Sequence, residues 1–364
     1  MSIMQKWFGG QDPSLVGLDI SSSSVKLLEL VKKGGRIEVA AFAIEPLPAS
    51  AVVDQQVVEP EAVAEAIRKV LAKSGTKQRA AAVAVAGPTV ITKVVQLSAL
   101  LSEDDMEQQI RAEADQYIPF PIEDVSLDFQ VLGPAGGRTE EVDVLLAACR
   151  RDQVLARTDA LERAGMRAKV VYIQNHALEL ASSLLRHQMP ADGVGQTIAL
   201  VDIGAIATTL LFLHDHKLVY ARESAFGGKQ LTEDIMRAYG MSVDEALRAQ
   251  RANALPESYR EDVLKPFIDD IGQQVDRGLQ FFFSAVSDIA QVDQIILAGG
   301  CAQIDGLAAQ ISERIGIPTV IARPFAQLSI SPRAKPNLIV RDETALLLAA
   351  GLALRSFDDD EADH

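Results

Sequence analysis

The segment LVGLDISSSSVKLLEL at 15–30 aligns without gaps on IALVDIGAIATTLLFL at 198–213. Asp19 falls on Asp202, Ile20 on Ile203 and Ser21 on Gly204, and the flanking apolar positions superimpose. Each copy enters a turn of small residues and leaves it apolar, then meets a polar turn, VKKGGR or HDHK, before a further strand-like stretch. Short apolar runs bounded by turn residues predict strands. A chain that carries the same acid-tipped hairpin twice folds as two similar α/β halves, expected to face each other across a cleft. The echo continues beyond the hairpins. AEAIRKVLAKSG predicts a helix and AAAVAVAG a strand ending in glycine, and LTEDIMRAYG and DQIILAGG follow the same plan in the second half. Units of this length exceed solenoid periods.

Between the halves lies a distinct block, 88–169, that reads β-α-β-β-α-β. Its first helix is expected over SEDDMEQQIRAEADQYI, with Ser102 as N-cap and Asp105 three residues on. Met106, Ile110, Ala114 and Tyr117 recur at helical spacing and should face a sheet, and Pro119 should end the helix. In the second half a helical section spans about 228–290. There Phe267, Ile271, Val275, Leu279 and Phe282 or Phe283 form one apolar stripe. TALLLAAGLAL at 344–354 is apolar nearly all round, and a helix of that kind is buried.

A formal net charge of −15 argues against a nucleic-acid partner and against adsorption to an anionic bilayer. Cys149 and Cys301 make neither a disulfide framework nor a metal spacing. No run reaches the length of a membrane span, so direct membrane insertion is not expected. The leader 1–13, with Trp7 and Phe8, and the acidic tail 358–364 are expected to be flexible.

The hairpin turns are the first candidates for chemistry. A tight turn of small residues gathers backbone N–H groups into a nest suited to anions. Ser21, Ser22, Ser23 and Ser24 add hydroxyls, and Lys26 adds a positive charge. Asp19 makes sense as an outer ligand of hydrated Mg²⁺, an ion that takes oxygen ligands and keeps several waters. The second hairpin offers Asp202, Gly204, Thr208 and Thr209. LAGGCAQIDGL at 297–307 reads as a buried strand ending at Gly299–Gly300 and opening a helix, where backbone could approach a flat ligand. GGKQLTEDI at 227–235 places Gly227 and Gly228 before a helix with Lys229 and Glu233 at i, i+4. That pair could hold a ribose or base, or be a plain surface ion pair. Each feature alone also reads as an ordinary structural turn; two matched acids and two nests favour a polyphosphate. The G-x-x-x-x-G-K-[ST], G-x-G-x-x-G and G-x-S-x-G motifs are missing, and His176, His214 and His216 build no triad.

These motifs resemble the actin-like ATPase superfamily, whose members include actin, heat-shock chaperone ATPases, sugar kinases, FtsA and MreB. The seven residues from Asp19 to Lys26 match the acid-to-lysine interval of its first phosphate loop. Within it, WFG…VGLDISSSSVKLLEL, IRAEADQYIPFPIEDVSLDF and TALLLAAGLALRSF are similar to the PilM family of type IV pilus assembly proteins. The resemblance covers nearly the whole chain. It implies an actin-like (ribonuclease H-like) two-lobed α/β fold: a first lobe over 14–87, completed by 170–190 and 344–356, an FtsA-like insertion over 88–169, and a second lobe over 197–340.

It further implies a cytoplasmic ATP-binding scaffold, peripheral to the inner membrane, with ATP and Mg²⁺ held by the residues above. The N-terminal cytoplasmic peptide of PilN would dock between the first lobe and the insertion, near Tyr117 and Phe120. Other inner-membrane pilus proteins, cytoplasmic pilus ATPases and a second copy of the chain are further implied partners. Gln174, at the end of VVYIQ, stands where the superfamily positions water, and a carboxamide is a poor base. Ala205 and Thr209 replace an acid and a histidine of the superfamily's second loop, so weak metal binding and at most slow hydrolysis are expected. Two alternatives stay open, an FtsA- or MreB-like filament and a sugar-kinase-type phosphotransferase.

Overall fold

Both copies of the echoed segment are hairpins in the computed structural model, which describes residues 15–137 and 140–357. The leader 1–13 and the tail 358–364 lie outside the described residues. The described chain divides into two units, one built mainly from Ala40–Ala177 with the N-terminal strands, the other mainly from Leu178–Gly351.

The first unit opens with β1 (Val16–Ile20), β2 (Ser24–Lys33) and β3 (Arg36–Pro46), followed by the short pair β4 (Val52–Val53) and β5 (Gln56–Val57). Helix α1 (Pro60–Ser74) leads into β6 (Ala80–Val85). Pro60 sits at its first turn, where no donor is lost, and Gly75 ends it in the left-handed conformation, φ 67°. Next come β7 (Ile91–Ser98), α2 (Glu103–Ala112), β8 (Val125–Pro134), β9 (Glu141–Arg150), α3 (Arg151–Arg163), β10 (Arg167–Ile173) and α4 (Gln174–Ser182). Strands run in the order β10-β6-β1-β2-β3, with β1 parallel to β6, β6 parallel to β10 and β1 antiparallel to β2.

The expected β-α-β-β-α-β order is present from β7 to β10, but its parts pack in two places. Strands β7, β9 and β8 form their own three-stranded sheet. One face of it is covered by Met106, Ile110 and Ala114 from the α2 region. Helix α3 and β10 join the main sheet instead. Val154, Ala160 and Leu161 of α3 share one core with Val63, Ile67 and Val70 of α1, and apolar burial of that size decides which sheet a helix covers. Helix α2 is shorter than expected. Ser102 caps it, accepting from the Asp105 N–H at 3.2 Å, but it stops at Ala112 rather than at Pro119. Glu113 leaves the helical region at φ −100°, ψ 6°, and a 3-10 turn at Ala114–Gln116 still turns Ala114 and Ile118 into the core.

The second unit repeats the plan with β11 (Thr197–Ile203), β12 (Thr208–His214) and β13 (Lys217–Ser224). Helices α5 (Gly228–Tyr239), α6 (Val243–Arg251) and α7 (Lys265–Ala285) precede β14 (Gln294–Ala298), α8 (Leu307–Ile315), β15 (Thr319–Ile321) and β16 (Ser329–Ile330). Helix α9 (Pro336–Asp342) and α10 (Leu347–Leu354) close the described chain. The order β13-β12-β11-β14-β15 mirrors that of the first unit, again with two parallel pairs and an antiparallel hairpin at the centre. Strand β16 adds two residues alongside Glu38 and Val39, which also belong to this unit. Phe267, Ile271, Val275, Leu279 and Phe282 of α7 are buried in one cluster with Phe212 and Ile295, whereas Phe283 is exposed. Phe282 stacks flat on Phe212 with centroids 4.2 Å apart, and this selects it over its neighbour.

Among the described residues no helix is long and apolar enough to cross a membrane.

Candidate functional site

The two hairpins have the same register. Asp19 lies directly opposite Lys26 across β1 and β2, and Asp202 lies directly opposite Thr209 across β11 and β12. The turns match to the hydrogen bond: the Ser21 N–H donates to the Ser24 carbonyl at 3.0 Å, and the Gly204 N–H to the Ala207 carbonyl at 2.9 Å. Strand alternation puts Asp19 with Lys26, and Asp202 with Thr209, on shared faces.

In the first unit the Lys26 ammonium donates to Asp19 Oδ2 at 2.6 Å and reaches Ser21 Oγ at 3.4 Å. Both partners are largely withdrawn from water, with side chains 14% and 7% exposed. Ser21 Oγ donates to the Ser24 carbonyl at 2.9 Å. Ser22 is half-buried, Ser23 exposed and Ser24 buried, so the hydroxyls do not all meet the same surroundings. The Ser23 carbonyl accepts from the Leu47 N–H, which ties the turn to the end of β3.

In the second unit three separate sequence motifs converge. The Gly204 carbonyl accepts from the Gly228 N–H at 3.0 Å, and the Ala205 carbonyl from the Lys229 N–H at 2.7 Å. The first turn of α5 thus grips the hairpin turn through its own unsatisfied donors. Gly227 lies against Gly204 and Ala205, where a Cβ would stand 2.6 Å from the Gly204 oxygen. Gly299, at the end of β14, has φ +88°, and a Cβ there would meet the Ile203 oxygen at 2.4 Å and Asp202 Oδ1 at 2.7 Å. Only glycine lets the strand end close on the acid. Asp202, Gly204, Gly227, Gly228 and Gly299 are therefore brought together. Gly300 is exposed with open space around its Cα, and the helix expected to begin there starts only at Leu307, after a run of turns ending at the left-handed Gly306.

Other expected residues lie apart. Thr208 pairs with Ile203, faces the core, and spends its hydroxyl on the Phe226 carbonyl at 2.7 Å, so only Thr209 shares the face of Asp202. Lys229 and Glu233 form an exposed i, i+4 pair at 3.7 Å, worth a few tenths of a kcal/mol, roughly, in a helix. Gln174 is half-buried at the first position of α4, directly after β10. Tyr117 and Phe120 are half-buried against the core of the three-stranded sheet. The Tyr117 hydroxyl donates to Glu113 at 3.0 Å, and Lys93 stands over its ring.

Cys301 is a residue the motif reading passed over. Its N–H donates to the Ile203 carbonyl and its thiol points at the Gly204 oxygen at 3.7 Å, directly under Gly228. Burial pushes this thiol up to about 11, and that of Cys149 up to about 12. Neither thiol forms the reactive thiolate at neutral pH. Iodoacetamide at pH 8 is accordingly expected to label neither residue in the folded protein and both in denaturant. Rapid labelling of Cys301 without denaturant would contradict this packing.

The family described as type IV pilus assembly protein PilM matches residues 17–357. Among solved structures the chain is similar to one described as a PilM-PilN type IV pilus biogenesis complex. Identity is 28%, the TM-score is 0.80, and the match covers 95% of this chain and 99% of that one. It also resembles the ethanolamine utilization protein EutJ from Carboxydothermus hydrogenoformans, with 17% identity, TM-score 0.56 and coverage of 94% and 90%. A third similar structure is MreB 5 of Spiroplasma citri bound to AMPPNP, with 12% identity, TM-score 0.51 and coverage of 97% and 98%. The last two establish the actin-like fold and nothing narrower.

Proposed function

The chain belongs to the type IV pilus assembly protein PilM family, and from that premise we propose that it is an ATP-binding scaffold of the pilus machinery whose nucleotide state governs its hold on PilN. The observation that carries this reading is the identical register of the two acid-bearing hairpins. Duplicated turns with an acid on the same face are suited to a polyphosphate with its hydrated ion.

The residues fit ATP and Mg²⁺ unevenly. In the first unit the Ser21–Ser24 turn would take phosphate oxygens, and Lys26 would leave Asp19 to meet them. In the second unit Thr209, on the face of Asp202, would supply a neutral donor, while the Gly204 N–H stays with the Ala207 carbonyl and shapes the turn. Asp19 and Asp202 are hard oxygen ligands, suitable as outer contacts for an ion that keeps its waters. Gly299 lets the end of β14 close on Ile203 and Asp202, which holds that acid in place. Bound Mg²⁺ would supply charge neutralisation along the phosphates. Gln174 would orient water without accepting its proton, and Ala205 adds no acid, so turnover is slow at most. A cytoplasmic place at the inner membrane, held by protein partners, follows from the same reading. The half-exposed edges of Tyr117 and Phe120 are the proposed contact for the PilN peptide.

The test is calorimetric titration of a synthetic N-terminal PilN peptide, with and without ATP and Mg²⁺. Coupling between sites predicts affinities that differ by at least about fivefold. Asp19→Ala should abolish the difference while leaving nucleotide-free peptide binding intact. Equal affinities in the wild-type protein would remove the coupling.

A further inference from the structure

The chain carries a formal net charge of −15, yet two of its segments run the other way. Residues 319–343 hold four cations, Arg323, Arg333, Lys335 and Arg341, against the acids Asp342 and Glu343. Lys32–Val39 holds Lys32, Lys33 and Arg36 against Glu38. Both segments belong to the second unit, and the fold lays them side by side. Strand β16 pairs with β3 at Ser329–Glu38 and Ile330–Val39, and the Ser331 N–H donates to the Val39 carbonyl at 2.9 Å.

The acids do not cancel the cations at the surface. Each is paired and stands deeper than its partner. Glu38 is 19% exposed beside Lys33 at 77%, Glu343 7% beside Arg323 at 61%, and Asp342 26% beside Arg341 at 72%. Water therefore meets the positive ends. Between Lys335 and Arg341, helix α9 turns Ile339 into the core and leaves Leu338 and Val340, 42% and 47% exposed, among the cations. Basic side chains interleaved with exposed aliphatic ones are the composition of segments that rest on anionic lipid.

We propose that α9 and the loop leading into it, with the turn at 32–36 beside them, rest on an anionic phospholipid bilayer. Charge complementarity selects this occupant: negative headgroups meet the cations, and the boundary of the acyl chains takes Leu338 and Val340. A nucleic acid would meet the cations and leave the aliphatic pair in water. An acidic protein segment would need apolar side chains spaced to match, whereas a bilayer presents both layers everywhere. The negative charge of the whole chain does not prevent the contact, because at physiological salt charges more than about 8 Å away are largely screened. Each cation near such a surface strengthens binding about fivefold. The contact is thus weak and reversible, and it gains from any partner that already holds the chain at the membrane. The inference goes beyond the proposed scaffold role and needs neither ATP nor PilN.

The test is flotation of the full chain, without nucleotide or peptide, on vesicles of phosphatidylglycerol and phosphatidylethanolamine. Phosphatidylcholine vesicles are the neutral reference. The wild-type protein should float with the anionic vesicles, stay behind with the neutral ones, and be released by about 0.5 M salt. Arg333→Gln combined with Lys335→Gln should lower the vesicle partition coefficient at least about tenfold. Leu338→Gln should lower it about threefold and leave the salt dependence unchanged. Lys265→Gln, which removes an exposed cation of α7 outside the patch, should change nothing. Melting temperatures within about 2 °C of the wild type identify the variants as folded. A wild-type protein that does not float overturns the proposal and leaves the patch to an acidic protein. Equal flotation on both vesicle types overturns it as well, and so does an equal loss in Lys265→Gln. The PilN reading survives each of these failures, since the peptide titration tests it separately.

Discussion

Replacing Lys26 with methionine is expected to destabilise the first unit by about 3–5 kcal/mol, because it strands Asp19, 5% exposed, without its counter-charge. The lysine pairs with Asp19 at 2.6 Å and reaches Ser21 Oγ at 3.4 Å, and methionine preserves most of its apolar stem. The second consequence concerns ATP. If affinity falls a hundredfold, nucleotide present at a hundred times the original Kd stabilises by about 0.4 kcal/mol in place of about 2.7 kcal/mol. A partner variant separates the two effects. Lys26→Met combined with Asp19→Leu removes both charges and should recover most of the stability, while ATP still fails to raise the melting temperature. Thermal melts with and without ATP and Mg²⁺ read both quantities. An ATP response that survives in the double variant would take Lys26 and Asp19 out of the site.

The other large effect is expected at Gly299. Gly299→Ala places a Cβ 2.4 Å from the Ile203 oxygen and 2.7 Å from Asp202 Oδ1, at a φ of +88° that alanine resists. Backbone strain and overpacking together should cost about 3 kcal/mol or more. The displaced strand end would also push Asp202 from its position beside Thr209. Gly300→Ala is the control one residue away. Nothing lies within 4 Å of its added carbon, so the change should stay within about 0.5 kcal/mol and leave ATP binding intact. Urea unfolding of the two variants, with ATP affinity measured on each, distinguishes them. Equal behaviour at 299 and 300 would mean that the close approach to Asp202 carries no weight.

These two variants probe the part of the site that was readable in the chain. Two acids at matched positions in an echoed segment could be aligned by eye, and so could the glycine pairs at 227–228 and 299–300. Their convergence on one turn of the second unit could not, since it depends on hydrogen bonds from Gly228 and Lys229 to Gly204 and Ala205. Thr208 and Thr209 are equivalent as letters. Pairing with Ile203 or with Asp202 makes one a core residue and the other a candidate for the site. Arg157 gave no signal at all: an arginine in an amphipathic helix ordinarily faces water, yet here it is buried and donates to the Gln55 carbonyl in the turn between β4 and β5.

What the amino-acid order determined by itself was local and periodic. It contained the repeated hairpin, the acid at its tip, the small residues that let a turn close, and the apolar stripe of α7. Those follow from propensities and spacing that act within a few residues. Tertiary structure decided what depends on distant partners. It assigned α3 and β10 to the main sheet, although they follow the inserted strands directly, because their apolar faces complete the core with α1 and β6. It chose Phe282 over Phe283 through the stack on Phe212. Burial and pairing are properties of the assembled layers, and a linear pattern cannot assign them where neighbouring residues are chemically alike.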